Sequence, residues 1–519
     1  MNGAESLLHT LYGNGVDVCF ANPGTSEMQF VAAVDRVEGM RCVLGLFEGV
    51  VTGAADGYGR MLGRPAATLL HLGPGLANGL SNLHNAMRAQ SPIVNIIGDH
   101  ATHHRALDAP LTSDVEGTAR PFSHWVRTSP SADTLALDTT AAVAAARSSP
   151  GRIASLIVPA DATWTEVTQT LFRAPSADEL VVHPDRPAER LIAAAGRMLS
   201  EQTATAIILG GHAGRAECLE VAGKIAAATG AKLLAQTYLP RVARGAGRVI
   251  VERIPFGIDE ALKVLAGFSN IILVGAKPPV AFFAYPDRPG LLLAPGARVL
   301  ELANVSQDAH YALEALAERV GAQKTPPPLA PLELPDRPSG AITPAKIGLL
   351  LAATLPSEAI VIDESITTGR TFLHATRTSH PHDWILPTGG SIGFALATAA
   401  GAAIACPERK VIALESDGSG MYMPQALWTH ARESLNILSI VFANRKYQIL
   451  RAEMSKTGVR SVGPKASTLL DIDRPTIDWV ALARSLGVEA SRAGSMEELS
   501  RLVEAGLAHQ GPRLIEVVL

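Results

Sequence analysis

Short, continuous aliphatic runs recur along the chain, and helix-like stretches separate them. A strand inside a parallel sheet is buried on both faces, so it reads as an unbroken apolar run and not as an alternation of apolar and polar residues. Such runs, alternating with helices, are typical of α/β domains in which helices cover both faces of the sheet. We therefore predict an α/β protein of doubly wound domains with mostly parallel sheets. The clearest predicted strands are 42–47, 67–72, 93–98, 204–210, 270–275, 411–415 and 436–443.

Two polar, proline-rich stretches interrupt this rhythm and divide the chain. They are 173–190 and 323–340, where proline removes backbone donors and blocks regular structure. We interpret both as linkers, so the predicted domains are 1–172, 190–322 and 341–519. The length of 519 residues agrees with this division, because about 150 residues per domain gives roughly three domains.

Composition narrows the functional class. Lys and Arg total 45 and Asp and Glu total 49, which gives a net charge of −4 and argues against a protein that coats nucleic acid. Hydrophobic residues make up 47% and charged residues 18%, so a large core can form and wholesale disorder is excluded. We find neither a signal peptide pattern nor an apolar run of about 18 residues that could cross a membrane. We therefore expect a cytoplasmic enzyme without nucleic-acid or membrane partners.

The cysteines give no sign of a zinc site or a disulfide framework. Four are present, they are scattered along the sequence, and none forms a CxxC pair. They are Cys19, Cys42, Cys218 and Cys406.

The predicted strands 411–415 and 436–443 belong to one βαβ unit with polar residues after each strand. If these strands are neighbours, Asp417 and Asn444 lie side by side at their carboxyl ends, where ligands bind in open parallel sheets. Carboxylate and amide oxygens suit Mg²⁺, which also takes phosphate ligands. Gly418 and Ser419 open the intervening loop, and the next helix points backbone donors at an anion. The pattern predicts a Mg²⁺–diphosphate cradle; the alternative is an Asp-Gly turn and a loop-capping Asn.

The spacing in this unit resembles the signature of thiamine-diphosphate enzymes. An Asp-Gly pair is followed by 25 residues, 419–443, and then by Asn444. The resemblance implies that Asp417, Asn444 and the backbone carbonyl of Lys446 bind the metal. Ser416 replaces the first Gly of the family pattern, but that residue is not itself a ligand.

A second match lies near the N-terminus, where the segment FEGVVTGAADGYGR follows the predicted strand 42–47. The resemblance places Glu48 at the end of that strand, bonded to the pyrimidine ring of the cofactor, where it favours the imino tautomer. Apolar neighbours indicate a buried carboxyl group, and such a group has a raised pKa and can donate a hydrogen bond. The alternative is a Glu at a helix start on the surface.

Three further segments complete the resemblance. The segment 389–403 resembles the part that contacts the aminopyrimidine, with the Gly390 carbonyl as acceptor and Ile392 as the wedge that bends the cofactor. The segment 21–28 resembles the loop on the thiazolium side, and 363–369 resembles a loop on the diphosphate side. The implied cofactor contacts are Pro23, Gly24 and Thr25 on the thiazolium side and the hydroxyl donors Thr367, Ser419 and Tyr447 on the phosphate side.

The resemblance covers nearly the whole chain and points to the branch that contains benzoylformate decarboxylase and acetolactate synthase. It implies three domains in the order pyrimidine-binding, central and diphosphate-binding, with thiamine diphosphate and Mg²⁺ as cofactors. It also implies that Glu48 of one subunit meets Asp417 and Asn444 of another. The active unit is then a dimer or a tetramer.

His71 distinguishes the members of this branch. It stands directly before Gly-Pro-Gly at a predicted strand end, and this position resembles the active-site His of benzoylformate decarboxylase. An imidazole there can hold a substrate carboxylate or relay a proton. The alternative is a core His whose hydrogen bonds are satisfied. On a loop after another strand, His100, His103 and His104 form a cluster that suits proton transfer or simple solvation.

Two departures separate the chain from both relatives. The central segment 276–290, which in benzoylformate decarboxylase supplies a second His, has none here; Ala284 takes about that position, and Phe282 and Phe283 offer an apolar wall. Acetolactate synthases resemble one another in a stretch with Gly-Met-Val and Gln-Trp-Gln motifs after this Asn. The stretch after Asn444 lacks both motifs.

We therefore expect a decarboxylase or carboligase that acts on a 2-oxo acid. The alternatives are acetolactate synthesis from pyruvate, a catalytically silent homologue, and a nucleotide-binding oxidoreductase, for which no GxGxxG motif follows a strand. The central segment 208–217 is compatible with a dinucleotide-type fold, and it leaves the presence of FAD open.

Overall fold

The computed structural model describes residues 1–168, 176–459 and 461–519. Its strands form three separate sheets with helices on both faces, which confirms the predicted α/β class with mostly parallel sheets. The predicted domain limit at residue 172 lies outside the described residues, and the other limits stay predictions. None of the helices in the described ranges is long and apolar enough to cross a membrane.

The first sheet has six parallel strands in the order β2-β1-β3-β4-β6-β5. Its strands are β1 (Val18–Asn22), β2 (Arg41–Leu44), β3 (Ala66–Leu70), β4 (Ile93–Asp99), β5 (Trp125–Thr128) and β6 (Ile153–Pro159). Its helices are α1 (Gly3–Gly13), α2 (Met28–Val34), α3 (Glu48–Leu62), α4 (Leu72–Ala89), α5 (Val115–Ala119), α6 (Ala132–Arg147) and α7 (Ala160–Trp164). Strands β3, β4 and β6 are buried along their whole length, as their unbroken apolar runs predict.

The second sheet has five parallel strands in the order β10-β8-β7-β11-β12. The helices of this part are α8 (Ala177–Leu180), α9 (Glu189–Ser200), α10 (Ala216–Thr229), α11 (Ile258–Leu265) and α12 (Ala309–Arg319). The strands of this part are β7 (Thr205–Leu209), β8 (Lys232–Ala235), β9 (Val242–Arg244), β10 (Glu252–Arg253), β11 (Asn270–Val274) and β12 (Arg298–Ala303). Strand β9 does not belong to this sheet and instead pairs with a strand of the third sheet.

The third sheet has seven strands in the order β17-β18-β16-β15-β13-β14-β9. All pairs are parallel except β9 with β14, so a short strand from the middle of the chain closes one edge of the C-terminal sheet. The strands are β13 (Ala359–Glu364), β14 (His382–Ile385), β15 (Val411–Ser416), β16 (Ile437–Ala443), β17 (Glu489–Ala493) and β18 (Arg513–Val518). The helices are α13 (Pro344–Thr354), α14 (Phe372–Ala375), α15 (Ala395–Ala405), α16 (Asp417–Gly420), α17 (Ala426–Arg432), α18 (Gln448–Lys456), α19 (Pro464–Thr468), α20 (Trp479–Ser485) and α21 (Met496–Ala508).

Helices α3 and α15 pack closely and join the first and third sheets through one apolar core. A Cβ atom on Gly401 would stand 1.7 Å from the Ala54 carbonyl oxygen, and one on Gly57 would stand 2.1 Å from the Thr398 carbonyl oxygen. Only glycine permits this approach of the two backbones, which explains the small residues in both helices.

The fold brings together two of the four cysteines, although they are distant in the sequence. All four are free thiols, but Cys19 and Cys42 are register partners on the neighbouring strands β1 and β2. Cys19 and Cys42 are 23 residues apart in the sequence, and the parallel register of the two strands aligns them.

Asp383 on β14 ties together segments from all three parts of the chain. It is 1% exposed, and the Arg241 guanidinium donates to both its oxygens at 3.0 and 2.9 Å. Arg409 donates at 2.7 Å, and Arg241 also donates to the Met61 carbonyl at 2.9 Å. Burial acts to raise the pKa of Asp383, but the two arginines together hold it below its usual value.

We predict that Asp383→Asn lowers the free energy of unfolding by about 3–5 kcal/mol, because two buried guanidinium groups lose their counter-charge. Acid should have the same effect: since the folded pKa is lowered, the stabilisation is present above the ordinary Asp range and is lost as the pH falls through the lowered value. Urea unfolding at pH 7 and at acidic pH measures the effect of the substitution and the effect of acid on the free energy of unfolding. The control Glu489→Gln, whose side chain is 61% exposed beside Arg513, should cost less than about 1 kcal/mol. Equal losses in the two variants would contradict the assignment.

Candidate active site

Glu48 is the first residue of α3 and is buried at 6% exposure. Strand β2 ends at Leu44, so Glu48 begins a helix and does not end a strand. The carboxamides of Asn22 and Asn78 donate to its two carboxylate oxygens at 3.0 Å each. This corrects the expected apolar setting, because the carboxyl group lies between two polar side chains. A Cβ on Gly75 would come within 3.1 Å of one carboxylate oxygen of Glu48, so the glycine leaves space for this carboxyl group.

His71 is half-buried between the end of β3 and the start of α4. Its Nδ1 lies 2.8 Å from Oε2 of Glu27, and the same oxygen accepts the Gly24 amide hydrogen at 2.8 Å. Glu27 is 2% exposed, and its second oxygen has no partner among the described residues. Burial raises the pKa of Glu27, and the Gly24 amide and His71 oppose that rise. The arrangement is a buried acid–imidazole pair whose Nε2 is the ring nitrogen left free.

Glycine makes this pair sterically feasible. A Cβ on Gly24 would stand 2.2 Å from Nδ1 of His71, and one on Gly98 would stand 1.6 Å from Oε1 of Glu27. Neither contact is tolerable, so the loop after β1 and the end of β4 close around the pair only with glycine at these places. Pro23 precedes Gly24, and Thr25 begins the short 3₁₀ helix Thr25–Glu27 that carries the acid. Sequence reasoning missed Glu27, although it lies inside the segment 21–28.

Asp417 and the loop after Asn444 meet at the third sheet. Strands β15 and β16 are neighbours with Ser416 opposite Phe442, as the βαβ interpretation required. Asp417 is 3% exposed, and its Oδ2 accepts the Arg445 amide hydrogen at 2.6 Å. Burial raises the pKa of Asp417 to about 6, against the opposing effect of backbone donors. A nearby divalent cation would favour the charged form of this carboxyl group.

The remaining implied metal donors are also oxygens, and each already accepts one hydrogen bond. Oδ1 of Asn444 accepts from the Lys446 amide at 3.1 Å, and the Lys446 carbonyl accepts from the Gln448 amide at 2.9 Å. Each oxygen keeps a second lone pair. Across residues 1–168, 176–459 and 461–519, no group of three or more His, Cys, Asp or Glu could hold a metal. One carboxylate with two neutral oxygens fits Mg²⁺ that takes its other ligands from a diphosphate.

The other implied cofactor contacts line the same edge of the third sheet. The Gly390 backbone has φ +71°, which favours glycine, and its amide donates to the Pro387 carbonyl at 2.9 Å. The Ser419 hydroxyl points inward and donates to the buried carboxyl of Glu415. A Cβ on Gly418 would meet the Tyr447 ring at 2.7 Å. Thr367 and Ile392 are half-buried.

Strained backbone marks three of these loops. Among the described residues eight that are not glycine have positive φ, and three of them adjoin predicted site residues. They are Leu72 after His71, Ile366 before Thr367 and Arg445 after Asn444, with φ values of 48°, 49° and 57°. Such conformations persist only where surrounding contacts impose them, and they concentrate at functional sites.

Aromatic side chains from the middle of the chain reach the Gly390 loop. The ring of Phe282 lies 2.6 Å from the place where a Cβ on Gly390 would stand. Its centroid is 4.9 Å from that of Phe283, 5.3 Å from Phe256 and 5.9 Å from Tyr238. Phe282 and Phe283 are 44% and 55% exposed in the single chain, so together they present an open apolar wall. Ala284, the next residue, brings no imidazole to this wall.

The histidine-rich loop after β4 lies beside the His71 loop. Ser113 lies at the far end of the histidine-rich loop, and a Cβ on Gly73 would stand 2.0 Å from its hydroxyl oxygen. The rings of His100 and His104 are 5.5 Å apart, whereas the His103 side chain is 73% exposed. The loop that carries these histidines therefore reaches the His71 loop through Ser113.

A separate cavity of about 240 Å³ lies between the first and second sheets, away from these residues. The glycine turn after β7, within segment 208–217, lines the cavity through Gly211 and His212. Burial lowers the pKa of its His212 to about 4. The cavity does not by itself indicate a flavin.

The comparisons with known proteins agree with this geometry. The N-terminal TPP binding domain of thiamine pyrophosphate enzymes matches residues 1–119, and the C-terminal TPP binding domain matches residues 367–517. The solved structure of the thiamine diphosphate-dependent 4-hydroxybenzoylformate decarboxylase from Rhodococcus jostii RHA1 superposes with a TM-score of 0.86 at 26% identity. That match covers 100% of this chain and 99% of that chain.

Two curated relatives align over almost the full length. "Putative acetolactate synthase large subunit IlvX" of Mycobacterium tuberculosis is 46% identical, covering 100% of this chain and 99% of that protein. Benzoylformate decarboxylase of Pseudomonas aeruginosa is 31% identical, covering 97% and 96% respectively. The chain therefore belongs to the thiamine pyrophosphate enzymes, in the branch that contains acetolactate synthase large subunits and benzoylformate decarboxylases.

Proposed function

We propose that this chain is a thiamine-diphosphate- and Mg²⁺-dependent decarboxylase or carboligase that acts on a 2-oxo acid with an aryl or branched side chain. The observation that carries the proposal is the buried Glu27–His71 pair at the same sheet edge as Glu48. An acid–imidazole pair manages a proton and a carboxylate, which are the two things that 2-oxo acid decarboxylation requires of the protein.

The residues present fit the cofactor. Asp417, Asn444 and the Lys446 carbonyl would hold Mg²⁺ and, through it, the diphosphate, and the glycines at 390 and 418 let the Phe282 and Tyr447 rings approach the backbone of this site. When bound, thiamine diphosphate supplies a nucleophilic carbon and an electron sink for the bond to the lost carboxylate. The further contacts proposed are Pro23, Gly24, Thr25, Thr367, Ile392 and Tyr447, whereas the Ser419 hydroxyl is already bonded to Glu415 and is not proposed as a phosphate donor.

Glu48 would hydrogen-bond the pyrimidine ring of the cofactor. Asn22 and Asn78 hold its carboxyl group from both sides, so its orientation is set before the cofactor enters. A preoriented donor loses no freedom when it acts, which is the main way in which a protein assists a proton transfer.

His71 would hold the substrate carboxylate or pass a proton at Nε2. Because Nδ1 is bonded to Glu27, the ring cannot rotate freely and Nε2 is directed to one place. Glu27 also compensates the positive charge of a protonated imidazole, and its own burial makes a shared proton favourable.

The aromatic wall at Gly390 supports the larger substrate. Phe282 and Phe283 would contact an aryl or branched side chain, and each well-buried contact contributes roughly 1–3 kcal/mol of discrimination. Since Ala284 replaces a second imidazole, one proton donor is missing, and the product would leave slowly enough for an aldehyde acceptor to compete. We also propose an oligomer, a dimer or a tetramer, in which the two halves of the site come from different subunits.

The alternative is condensation of pyruvate to acetolactate. The 46% identity to the Mycobacterium tuberculosis relative favours it, by the name that relative bears. Analysis of the reaction products distinguishes the proposed decarboxylation or carboligation from the condensation of pyruvate.

Asp417→Ala should weaken the binding of thiamine diphosphate in the presence of Mg²⁺ by at least about 100-fold, because it removes the sole carboxylate proposed for the metal. Isothermal titration calorimetry measures the affinity, and circular dichroism checks that the fold survives. The matched control is Asp473→Ala. Asp473 is an exposed carboxylate in the loop between α19 and α20, so this variant should bind the cofactor like the wild type. Full cofactor affinity in Asp417→Ala would refute the metal assignment.

Gly24→Ala should lower kcat by about 100-fold, because the new methyl group displaces the His71 ring from Glu27. His71→Ala should lower kcat similarly and, since His71 is not a proposed cofactor contact, should leave cofactor affinity nearly unchanged; steady-state kinetics and calorimetry measure the two effects. A Cβ on Gly13 would meet nothing within 4 Å, so Gly13→Ala is the control and should retain full turnover. Normal turnover in Gly24→Ala would mean that the pair is not needed.

The central experiment is a panel of benzoylformate, a branched 2-oxo acid and pyruvate, with thiamine diphosphate and Mg²⁺, in which CO₂ and the organic products are measured together. We expect the aryl or branched acid to react faster than pyruvate, with acyloin formed when an aldehyde is added. Phe282→Ala should lower kcat/KM for the larger acids by about 10–100-fold and change pyruvate little. Consumption of pyruvate alone, with acetolactate as the sole product, would favour the alternative; no reaction with any 2-oxo acid would exclude both.

A further inference from the structure

Two acidic side chains lie buried together beneath the loops at the edge of the third sheet. Glu364 ends β13, and Glu415 lies one residue before the end of β15. The two are register partners on neighbouring parallel strands, and their exposures are 1% and 0%. The two strand ends are also joined directly, because the Ser416 hydroxyl donates to the Glu364 backbone carbonyl at 3.2 Å.

Glu364 binds the segment that follows Gly390 and Ile392. Its Oε1 accepts the Gly393 amide hydrogen at 3.0 Å, and its Oε2 accepts those of Phe394 and Ala395 at 2.7 and 2.8 Å. These are the free donors at the start of the 11-residue helix α15, where negative charge is favoured. Glu364 therefore anchors this segment to the end of β13.

Glu415 binds the segment that contains Asp417. Its Oε1 accepts the Ser416 amide hydrogen at 3.0 Å and also accepts the Ser419 hydroxyl. Burial raises the pKa of Glu364 to about 7 and, together with the charge of Glu364, raises that of Glu415 well above the usual range.

The pair is costly in a position that stability alone would fill with aliphatic residues. Strand β13 is apolar and buried from Ala359 to Ile362 and β15 from Val411 to Leu414, and replacing buried ionic groups by apolar ones of similar volume is often neutral or stabilising. What an aliphatic pair could not do is bond to both neighbouring segments at once. Glu364 holds the backbone at 393–395, Glu415 holds the segment 416–419, and the two acids lie opposite each other on neighbouring strands.

We propose that Glu364 and Glu415 are positioning residues that hold the 390–395 and 416–419 segments in one fixed relation, so that the two parts of the thiamine diphosphate site on this sheet are preformed together. The inference rests on the proposed function only in requiring that both segments bind the cofactor. It does not depend on which substrate is used. Neither acid is assigned a contact with the cofactor or a step in the reaction.

The test compares Glu415→Leu with Glu415→Gln. Leu fills the strand position but breaks the link, so cofactor affinity with Mg²⁺ should fall by at least about tenfold, while the unfolding temperature of the cofactor-free protein stays close to that of the wild type. Gln can still accept from Ser416 and donate to Glu364, so it should restore affinity to within about threefold. Calorimetry gives the affinity and differential scanning fluorimetry the unfolding temperature. At saturating cofactor, Glu415→Leu should recover most of kcat.

Two further variants sharpen the result. Glu516→Gln is the matched control: Glu516 is 1% exposed in the same sheet but bonds Arg492, so its loss should lower the unfolding temperature and leave cofactor affinity unchanged. Ser419→Ala removes the hydroxyl that reaches Glu415 without altering the strand. It should weaken affinity several-fold in the wild type and have no added effect in Glu415→Leu.

The outcomes separate cleanly. Wild-type affinity in Glu415→Leu, or equal losses in the Leu and Gln variants, would overturn the proposal. If Glu415→Leu does not fold, unchanged affinity in Ser419→Ala overturns it instead. A wild-type protein that binds no thiamine diphosphate overturns this proposal and the proposed function together. A wild type that binds the cofactor but consumes no 2-oxo acid leaves the positioning role standing and removes the proposed substrate.

Discussion

Burying a carboxyl group requires hydrogen-bond donors around it, and this requirement shapes every loop of the candidate site. Glu27, Glu48, Glu364, Glu415 and Asp417 are all at most 6% exposed. Each accepts hydrogen bonds from backbone amides or from side-chain amides and hydroxyls of the surrounding loops. Because an unpartnered buried charge costs several kcal/mol, each loop is confined to the conformation that supplies these donors.

The donors divide the site into two halves with different tasks. In the N-terminal half, side-chain amides hold Glu48 and an imidazole meets Glu27, so the carboxyl groups there are arranged for proton chemistry. In the C-terminal half, backbone amides serve Glu364 and Asp417, and the carboxyl groups organise loops that would surround a diphosphate and its metal. Strained residues next to His71 and Asn444 show that surrounding contacts impose these loop conformations.

The middle part of the chain contributes to both halves, although most of its residues form their own sheet. Strand β9 extends the C-terminal sheet, and Arg241 links Asp383 to the end of α3. The same part brings Phe282 against Gly390. The central region therefore does more than connect the outer parts: it fixes their relation and supplies an apolar surface at the site.

The sequence by itself determined the α/β class, the buried strands and the family, because buried parallel strands are unbroken apolar runs and a metal–diphosphate loop has a characteristic spacing. It also located Asp417 and Asn444 correctly as neighbours, since residues at the ends of adjacent parallel strands must meet. The tertiary structure alone decided which polar side chains pair. Glu27 with His71, and Glu364 with Glu415, come from segments 44 and 51 residues apart, and strand order and register bring them into contact. No local pattern encodes such a pairing, because it depends on which strands are neighbours and on how closely glycine lets their loops approach.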